Sequence, residues 1–246
     1  MFQRRNLQKF GVVAVLLGVL LLATAAPAIP AQPEAANVTL STSPVWADHS
    51  CPADVTVALA GDPVDVGGYE TQVNFDAVHF GYTSGNIALT DFLSDGGLRS
   101  TSGDDGTPFL EAIAATNVKF GDYSWGTSAG ADSPGNLATV GLDVVACGSS
   151  SVSLSDSQVV DYLGTPFVLG TESSTSYAVY HLYDTNGDNL PFVTSSDVLA
   201  VVSNIGPWGG GCSAGYQYDT NLDGLPFITS SDVLAVVSNI GPVSCP

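Results

Sequence analysis

The chain has 246 residues, of which 45% are hydrophobic and only 12% charged, and its formal net charge is −19. Three of the five basic residues lie in the first nine positions, so the rest of the chain sets Arg99 and Lys119 against all 24 acidic residues, a formal charge of −22. Such an acidic surface repels phosphate backbones, which excludes nucleic-acid binding, and it attracts hard cations such as calcium.

The N-terminal segment has the three parts of an export signal. A positive region (Arg4, Arg5 and Lys9) precedes an uncharged run over 10–26, and small-residue cleavage sites follow at 23–25 and 26–28. We therefore expect residues 1–28 to be a signal peptide and the protein to be secreted, extracellular or at the cell surface, without membrane contact after cleavage. An uncleaved anchor is the alternative, since the run is almost long enough to span a bilayer, but Pro27 and Pro30 favour cleavage.

Export places the cysteines in an oxidising compartment, where four of them allow three pairings. They are Cys51, Cys147, Cys212 and Cys245, and none has the C-x-x-C spacing of a zinc or redox site. The simplest expectation is a disulfide within each half of the mature chain, Cys51–Cys147 and Cys212–Cys245.

Strands and turns dominate the chain from about 38 to 169. Residues 54–59 and 69–75 alternate between polar and apolar, 137–146 form a longer apolar strand, and Gly and Pro pairs separate them. This pattern predicts an antiparallel β-sandwich over 38–169, a Ser/Thr-rich linker over 170–177 and a second module over 178–246. We expect the aromatic residues of the sandwich to be buried, although five of them could stack on sugars: Trp46, Tyr69, Tyr82, Tyr123 and Trp125.

Part of the sandwich resembles a known family. The stretch Val64-Asp65-Val66-Gly67-Gly68-Tyr69-Glu70, leading into Val73-Asn74-Phe75-Asp76, resembles the early strands of a cohesin domain. Residues 106–110 and 135–140 resemble later parts of cohesin-like modules in secreted bacterial proteins. The resemblance implies a jelly-roll-like sandwich, a fold shared with several cellulose-binding modules.

The tail contains an internal repeat. Residues 184–207 recur 35 positions later at 219–242, and 21 of the 24 aligned positions are identical. Each copy opens with D-x-N-x-D, the acidic start of an EF-hand loop, in which the side chains at positions 1, 3 and 5 converge on one calcium ion.

Each copy carries its closing acid two residues later than the standard loop, which we interpret as an insertion at Leu-Pro. The pattern predicts two calcium ions. Their expected ligands, with Phe192 and Phe227 contributing backbone carbonyls, are Asp184, Asn186, Asp188, Phe192 and Asp197 in the first loop and Asp219, Asn221, Asp223, Phe227 and Asp232 in the second. The sixth position needs a positive φ angle, which suits Gly224 and is tolerated by Asn189.

A short helix is expected after each loop. Ser196 or Ser231 can cap it, and Val198, Val201, Val202 and Ile205 recur on one face. The many β-branched residues would predict a strand in isolation, so the helix depends on the loop motif.

Two loop–helix repeats without a preceding helix resemble a type I dockerin over 180–246. The resemblance implies that the partner is another secreted protein module, cohesin- or dockerin-like. It also implies that the partner-reading residues include the pair before the last acid of each loop, Ser195 and Ser196 in one and Ser230 and Ser231 in the other.

The sequence predicts no catalysis. Gly126-Thr127-Ser128-Ala129-Gly130 matches a nucleophile motif but lacks its flanking strand and helix, and the three histidines are isolated. We therefore expect a mainly β, non-catalytic, calcium-binding protein that mediates protein–protein assembly or adhesion at the cell surface. The alternatives are a carbohydrate-binding protein linked to polysaccharide degradation, with polysaccharide as its partner, and a small secreted hydrolase.

Overall fold

The computed structural model of the protein describes residues 35–47, 51–103, 107–126, 129–210, 212 and 215–243. The expected signal peptide, Ser128 and Cys245 lie outside these residues. In the part of the chain that is described, no helix is both long and apolar enough to cross a membrane.

Two β-sheets form most of the structure. The first consists of β1 (Ala35–Thr42), β3 (Ala53–Gly61), β5 (Phe80–Gly81), β6 (Ile87–Leu89), β10 (Gly135–Val144) and β12 (Val168–Glu172), in the order β12-β1-β3-β10-β5 with β6 also on β10. The second consists of β2 (Val45–Trp46), β4 (Val66–Phe75), β7 (Ser100–Thr101), β8 (Leu110–Ala114), β9 (Asn117–Trp125), β11 (Gly148–Asp161) and β13 (Ser174–Tyr180), in the order β2-β13-β11-β4-β9-β7 with β8 also on β9.

Alternation along the strands builds one core shared by both sheets. In β3, Val55, Val57 and Leu59 are fully buried while the residues between them are not, as the sequence pattern predicts. Buried side chains of the second sheet, such as Val73 and Phe120, join the same cluster. The mainly β sandwich is thus confirmed.

The five aromatic residues expected to be buried differ in exposure, and Trp46 and Tyr82 are only partly buried. Tyr69 is buried as expected, and its ring lies 6.3 Å from that of Phe120. Tyr123 and Trp125 are exposed, so the expectation that they are buried was wrong. The alternation of β9 explains this, because Phe120 faces inward and every odd-numbered residue near the strand's end faces outward.

Two features differ from a purely antiparallel sandwich with a linker after it. β1 pairs with β12 and β13 pairs with β2 in parallel register. Residues 170–177, expected to be a linker, lie mostly in β12 and β13, and β13 completes the second sheet by pairing with β11. The sandwich therefore extends to Tyr180.

The repeats form a small helical module. Helix α1 (Ser195–Ser203) and helix α2 (Ser230–Ser238) are preceded by β14 (Phe192–Val193) and β16 (Phe227–Ile228) and followed by β15 (Gly206–Pro207) and β17 (Gly241–Pro242). β14 pairs with β17 and β15 with β16, so each loop is hydrogen-bonded to the chain that follows the other repeat's helix. The core between them is made of Val193, Val201, Ile228 and Val236. The two repeats therefore share one core and one set of strand pairs.

The helices are capped two residues earlier than expected. Thr194 and Thr229 are the N-caps, each accepting the N–H of the second following residue, Ser196 or Ser231. The expected caps Ser196 and Ser231 were wrong, because a capping box needs an acid three residues after the cap and Asp197 and Asp232 stand there.

The disulfides join different partners from those expected. Cys51 is bonded to Cys212, with Cα atoms 5.6 Å apart, so both expected pairings, Cys51–Cys147 and Cys212–Cys245, were wrong. Cys147 is disulfide-bonded as well. The reason is that the helical module is not separate from the sandwich. The described residues from 35 onward belong to one compact unit, and the cysteine before β3 lies beside the chain between the two repeats.

Candidate calcium-binding loops

The first loop, residues 184–197, folds around its first carboxylate. Asp184 is buried, and its two oxygens accept the backbone N–H groups of Asp188 at 3.1 Å and Asn189 at 2.9 Å. Asn186 Oδ1 accepts the same Asp188 N–H at 3.0 Å, and Asn186 Nδ2 donates to Asp188 Oδ2 at 3.0 Å. Three of the predicted ligands therefore lie together on one turn.

The second loop, residues 219–232, repeats this arrangement. Asp219 Oδ2 accepts the Gly224 N–H at 3.2 Å. Asn221 Oδ1 accepts the Asp223 N–H at 3.1 Å, and Asn221 Nδ2 donates to Asp223 Oδ2 at 3.0 Å. The repeated sequence thus gives a repeated geometry.

The last acid of each loop serves both the helix and the loop. Asp197 is fully buried, and its Oδ2 accepts the N–H of Thr194 at 2.8 Å and the Thr194 hydroxyl at 3.1 Å, which completes the capping box of α1. Its Oδ1 faces the loop, 3.4 Å from the backbone nitrogen of Asn186. Asp232 holds the equivalent position in the second repeat. The fourth predicted ligand of each loop is therefore held beside the others by the helix that it caps.

Two positions in each loop have positive φ angles. At the sixth position Asn189 has φ 58° and Gly224 has φ 66°, as the sequence predicts. At the fourth position the first loop has Gly187 with φ 67°, whereas the second has Leu222 with φ 56°. A branched side chain is unfavourable there, so the second loop carries a backbone strain that the first avoids.

Burial and like charge disfavour the ionised loops. Burial raises the pKa of Asp184, the N–H group of Asn189 opposes this rise, and the charges of Asp188 and Asp197 increase it. The pKa of Asp219 is raised mainly by burial too, with charge from its own loop partners adding to it. Because a raised pKa means that the charged form is disfavoured, a cation in each loop would be stabilising.

The lysine and arginine of the described residues do not provide that cation. Both lie in the sandwich, where Lys119 is 2.6 Å from Glu70 and Arg99 donates to the hydroxyl and carbonyl of Ser124. Neither side chain therefore neutralises the carboxylates of the loops.

The donor chemistry of the loops fits calcium, since carboxylate and amide oxygens are what this ion prefers. Within the described residues, no three His, Cys, Asp or Glu side chains converge as a metal centre does. Several of the loop oxygens accept the loop's own N–H groups. Phe192 and Phe227 lie in β14 and β16, and their carbonyl groups stay predicted ligands.

The helices leave an apolar face uncovered. Only Asp197 and Val201 are buried in α1, and only the equivalent Asp232 and Val236 in α2. Val202 and Ile205, which the sequence places on one face with Val201, are exposed. The uncovered apolar residues are Leu199, Val202 and Ile205 after the first loop and Leu234, Val237 and Ile240 after the second. The four predicted partner-reading serines, Ser195, Ser196, Ser230 and Ser231, are exposed as well.

A tryptophan of the sandwich contacts the first loop, which the sequence motif does not reveal. The indole of Trp46 donates to the carbonyl oxygen of Asp184 at 2.7 Å, and its ring lies 5.1 Å from that of Tyr180 and 5.7 Å from that of Tyr216. In the second loop an indole from within the module, Trp208, donates to the carbonyl of Leu225 at 2.8 Å. The pattern of acids alone carries no signal for either contact.

Comparison with known proteins finds cohesin modules as structural neighbours. A cohesin module of a Clostridium perfringens family 33 glycoside hydrolase is 14% identical, with TM-score 0.43, over 60% of this chain and 98% of that one. A non-cellulosomal cohesin from the archaeon Archaeoglobus fulgidus is 13% identical, with TM-score 0.43, over 62% and 98%. A cohesin from Clostridium acetobutylicum is 14% identical, with TM-score 0.43, over 60% and 92%. No protein-family model and no curated protein matches the chain.

Proposed function

We propose that the chain is a secreted, non-catalytic protein that binds two calcium ions and uses the helical module to dock onto another secreted protein module. The first ion would be held by Asp184, Asn186, Asp188 and Asp197 with the Phe192 carbonyl, and the second by Asp219, Asn221, Asp223 and Asp232 with the Phe227 carbonyl. A bound calcium ion supplies positive charge to oxygens that otherwise repel one another.

The observation that carries this proposal is the double contact of Asp197, repeated by Asp232. One oxygen fixes the first turn of the helix while the other faces the loop. A cation that neutralises the loop carboxylates would therefore also hold the start of the helix, where the exposed Ser195 and Ser196 lie. Without a cation the charges of Asp184, Asp188 and Asp197 repel, and the capping carboxylate is the group that links this repulsion to the helix.

The surface that the helices present supports docking as the purpose of this coupling. Four large apolar side chains lie uncovered on two helices of nine residues each, and Ile205 and Ile240 lie uncovered just after the helices end. Exposed apolar side chains grouped in this way are typical of an interaction site. The flanking serines can hydrogen-bond with a partner at low cost, since their hydroxyls both donate and accept.

The chain can serve as its own test partner, because a second copy carries a sandwich onto which these helices could dock. We expect light scattering of the full chain at high concentration to show calcium-dependent association, in enough salt to screen repulsion between acidic copies. Leu199→Glu combined with Leu234→Glu should abolish the association, whereas Leu163→Glu, at an equally accessible site on the sandwich, should preserve it. Monomers in both calcium and chelator would contradict docking of this module onto such a sandwich.

A further inference from the structure

Three exposed aromatic rings lie together at one end of the second sheet. Phe109, Tyr123 and Trp125 are 67%, 43% and 49% exposed. The centroid of the Tyr123 ring is 4.9 Å from that of Phe109 and 5.6 Å from that of Trp125. Tyr123 and Trp125 alternate in β9 with the buried Ser124, so both rings stand on the outer face of the sheet. These three residues form the ring cluster.

The outer face continues from the ring cluster as a row of amides and hydroxyls. Buried Thr71 and Val73 in β4 leave Gln72 and Asn74 facing outward. Gln72 Nε2 donates to Asn74 Oδ1 at 2.7 Å and to Ser155 Oγ at 3.2 Å. Next to the ring cluster β4 presents no side chain, because Gly68 is the residue paired with Tyr123. The rings therefore border a stretch of backbone and fixed polar side chains.

The one basic residue of this face is paired with acids in a strongly acidic protein. Lys119 lies 2.6 Å from Glu70, and the charge of the exposed Asp156 also acts on Lys119. Lys119 and Arg99 are the only lysine and arginine after residue 9, against 24 acids. A neutral ligand meets no charge penalty on this face, whereas an anionic one is repelled by the molecule as a whole.

We propose that the ring cluster, together with Gln72 and Asn74, binds a neutral polysaccharide. The C–H faces of a sugar ring are apolar and suit exposed aromatic faces, while its hydroxyls both donate and accept and suit side-chain amides. A protein-binding surface normally places its apolar residues at the centre and its polar ones at the rim. Here the rings lie at one end and the amides follow along the strands, which fits an extended chain of alternating apolar and hydroxyl character.

The tilt of the rings indicates which form of polysaccharide fits. The Tyr123 ring is inclined by 84° to that of Phe109 and by 42° to that of Trp125. The rings do not form one plane, so a single soluble chain that can turn about its linkages fits better than the flat surface of a crystalline fibre. The residues of this site lie outside both calcium loops, and the inference is independent of the proposed docking function.

Native electrophoresis of the full chain tests the proposal. Gels would contain hydroxyethylcellulose, arabinoxylan or galactomannan as neutral probes and polygalacturonate as an anionic one. We expect retardation in at least one neutral gel, none in the anionic gel, and the same retardation in calcium and in chelator. Trp125→Ala and Tyr123→Ala should each lower the affinity about tenfold, equivalent to ~1.4 kcal/mol.

Two further variants make the test specific. Trp125→Phe retains an aromatic face and should recover most of the binding, which a loss through misfolding would not show. Val168→Ala removes an exposed apolar side chain from β12, in the other sheet, and should bind as the unaltered protein does. Mobility unchanged in every neutral gel would overturn the proposal. So would retardation that Trp125→Ala and Tyr123→Ala leave intact, or loss in these variants of binding to a second protein copy rather than to glycan.

Discussion

The indole nitrogen of Trp46 lies 2.7 Å from the carbonyl oxygen of Asp184, so a strand of the sandwich holds the first residue of the first candidate calcium loop. The contact is supported from the sandwich side by the Tyr180 ring, 5.1 Å away. The first loop therefore lies against the sandwich, whereas the indole contact of the second comes from Trp208 inside the module.

Replacing each indole with phenylalanine separates these two contacts. Trp46→Phe retains a ring but removes the donor, and we expect a loss of about 1 kcal/mol in stability, the usual net contribution of one hydrogen bond. Calorimetry should show this loss even in chelator, since the contact does not involve the ion. Trp208→Phe is the matched control and should mainly weaken the second loop. Equal effects of both variants on both calcium affinities would contradict this assignment.

The disulfide between Cys51 and Cys212 predicts a strong link between the sandwich and the module. Its loop of 161 residues corresponds to about 5 kcal/mol on the loop-entropy estimate. Mass spectrometry of a non-reduced digest should show a peptide containing Cys51 joined to one containing Cys212. A peptide joining Cys51 to Cys147 would show instead that the two halves are stapled separately.

The sequence predicted the elements that follow from local patterning. The alternation around Val55 and Val57, the duplicated loops and the positive φ of Asn189 and Gly224 are all found in the structure. Short-range chemistry decides these features, because side-chain period and backbone sterics act over a few residues. The outward orientation of Tyr123 and Trp125 could also have been predicted, because side chains at an odd spacing from the inward Phe120 face outward in a strand.

Features that depend on how distant segments meet were not predictable in this way. The pairing of Cys51 with Cys212 requires the module to lie against the sandwich, and nothing near either cysteine in the sequence states this. The same is true of β13, whose Ser- and Thr-rich sequence indicates a linker until its pairing with β11 is known. The contact of Trp46 with Asp184 spans 138 residues and carries no motif.

The helix caps give a sharp test of the local structure. Thr194→Ala removes the side chain that accepts the Ser196 N–H and donates to Asp197, and we expect it to cost about 1 kcal/mol. Ser196→Ala should have little effect, since only its backbone takes part in the cap. Thermal unfolding in saturating calcium compares the two. A larger loss of stability for Ser196→Ala would indicate that Ser196 is the N-cap, as the sequence predicted.

The strained position of the second loop predicts a stabilising substitution. Leu222→Gly should relieve the left-handed backbone there and raise the stability by about 1 kcal/mol, since left-handed conformation costs about 1–2 kcal/mol for residues other than glycine. The opposite change in the first loop, Gly187→Leu, should lower stability by a similar amount. Denaturant unfolding of both variants in calcium measures this. A decrease for Leu222→Gly would mean that the leucine side chain contributes more by contact than the backbone loses by strain.

Calorimetric titration of the full chain with calcium tests the central claim most directly. We predict two calcium ions per chain, one ion after Asp184→Ala or after Asp219→Ala, and none after both substitutions together. The remaining site in each single variant should bind more weakly than before, because β14 pairs with β17 and β15 with β16 across the repeats. No calcium-dependent heat from the unaltered protein, or two ions still bound after both substitutions, would contradict the assignment of these loops as calcium sites.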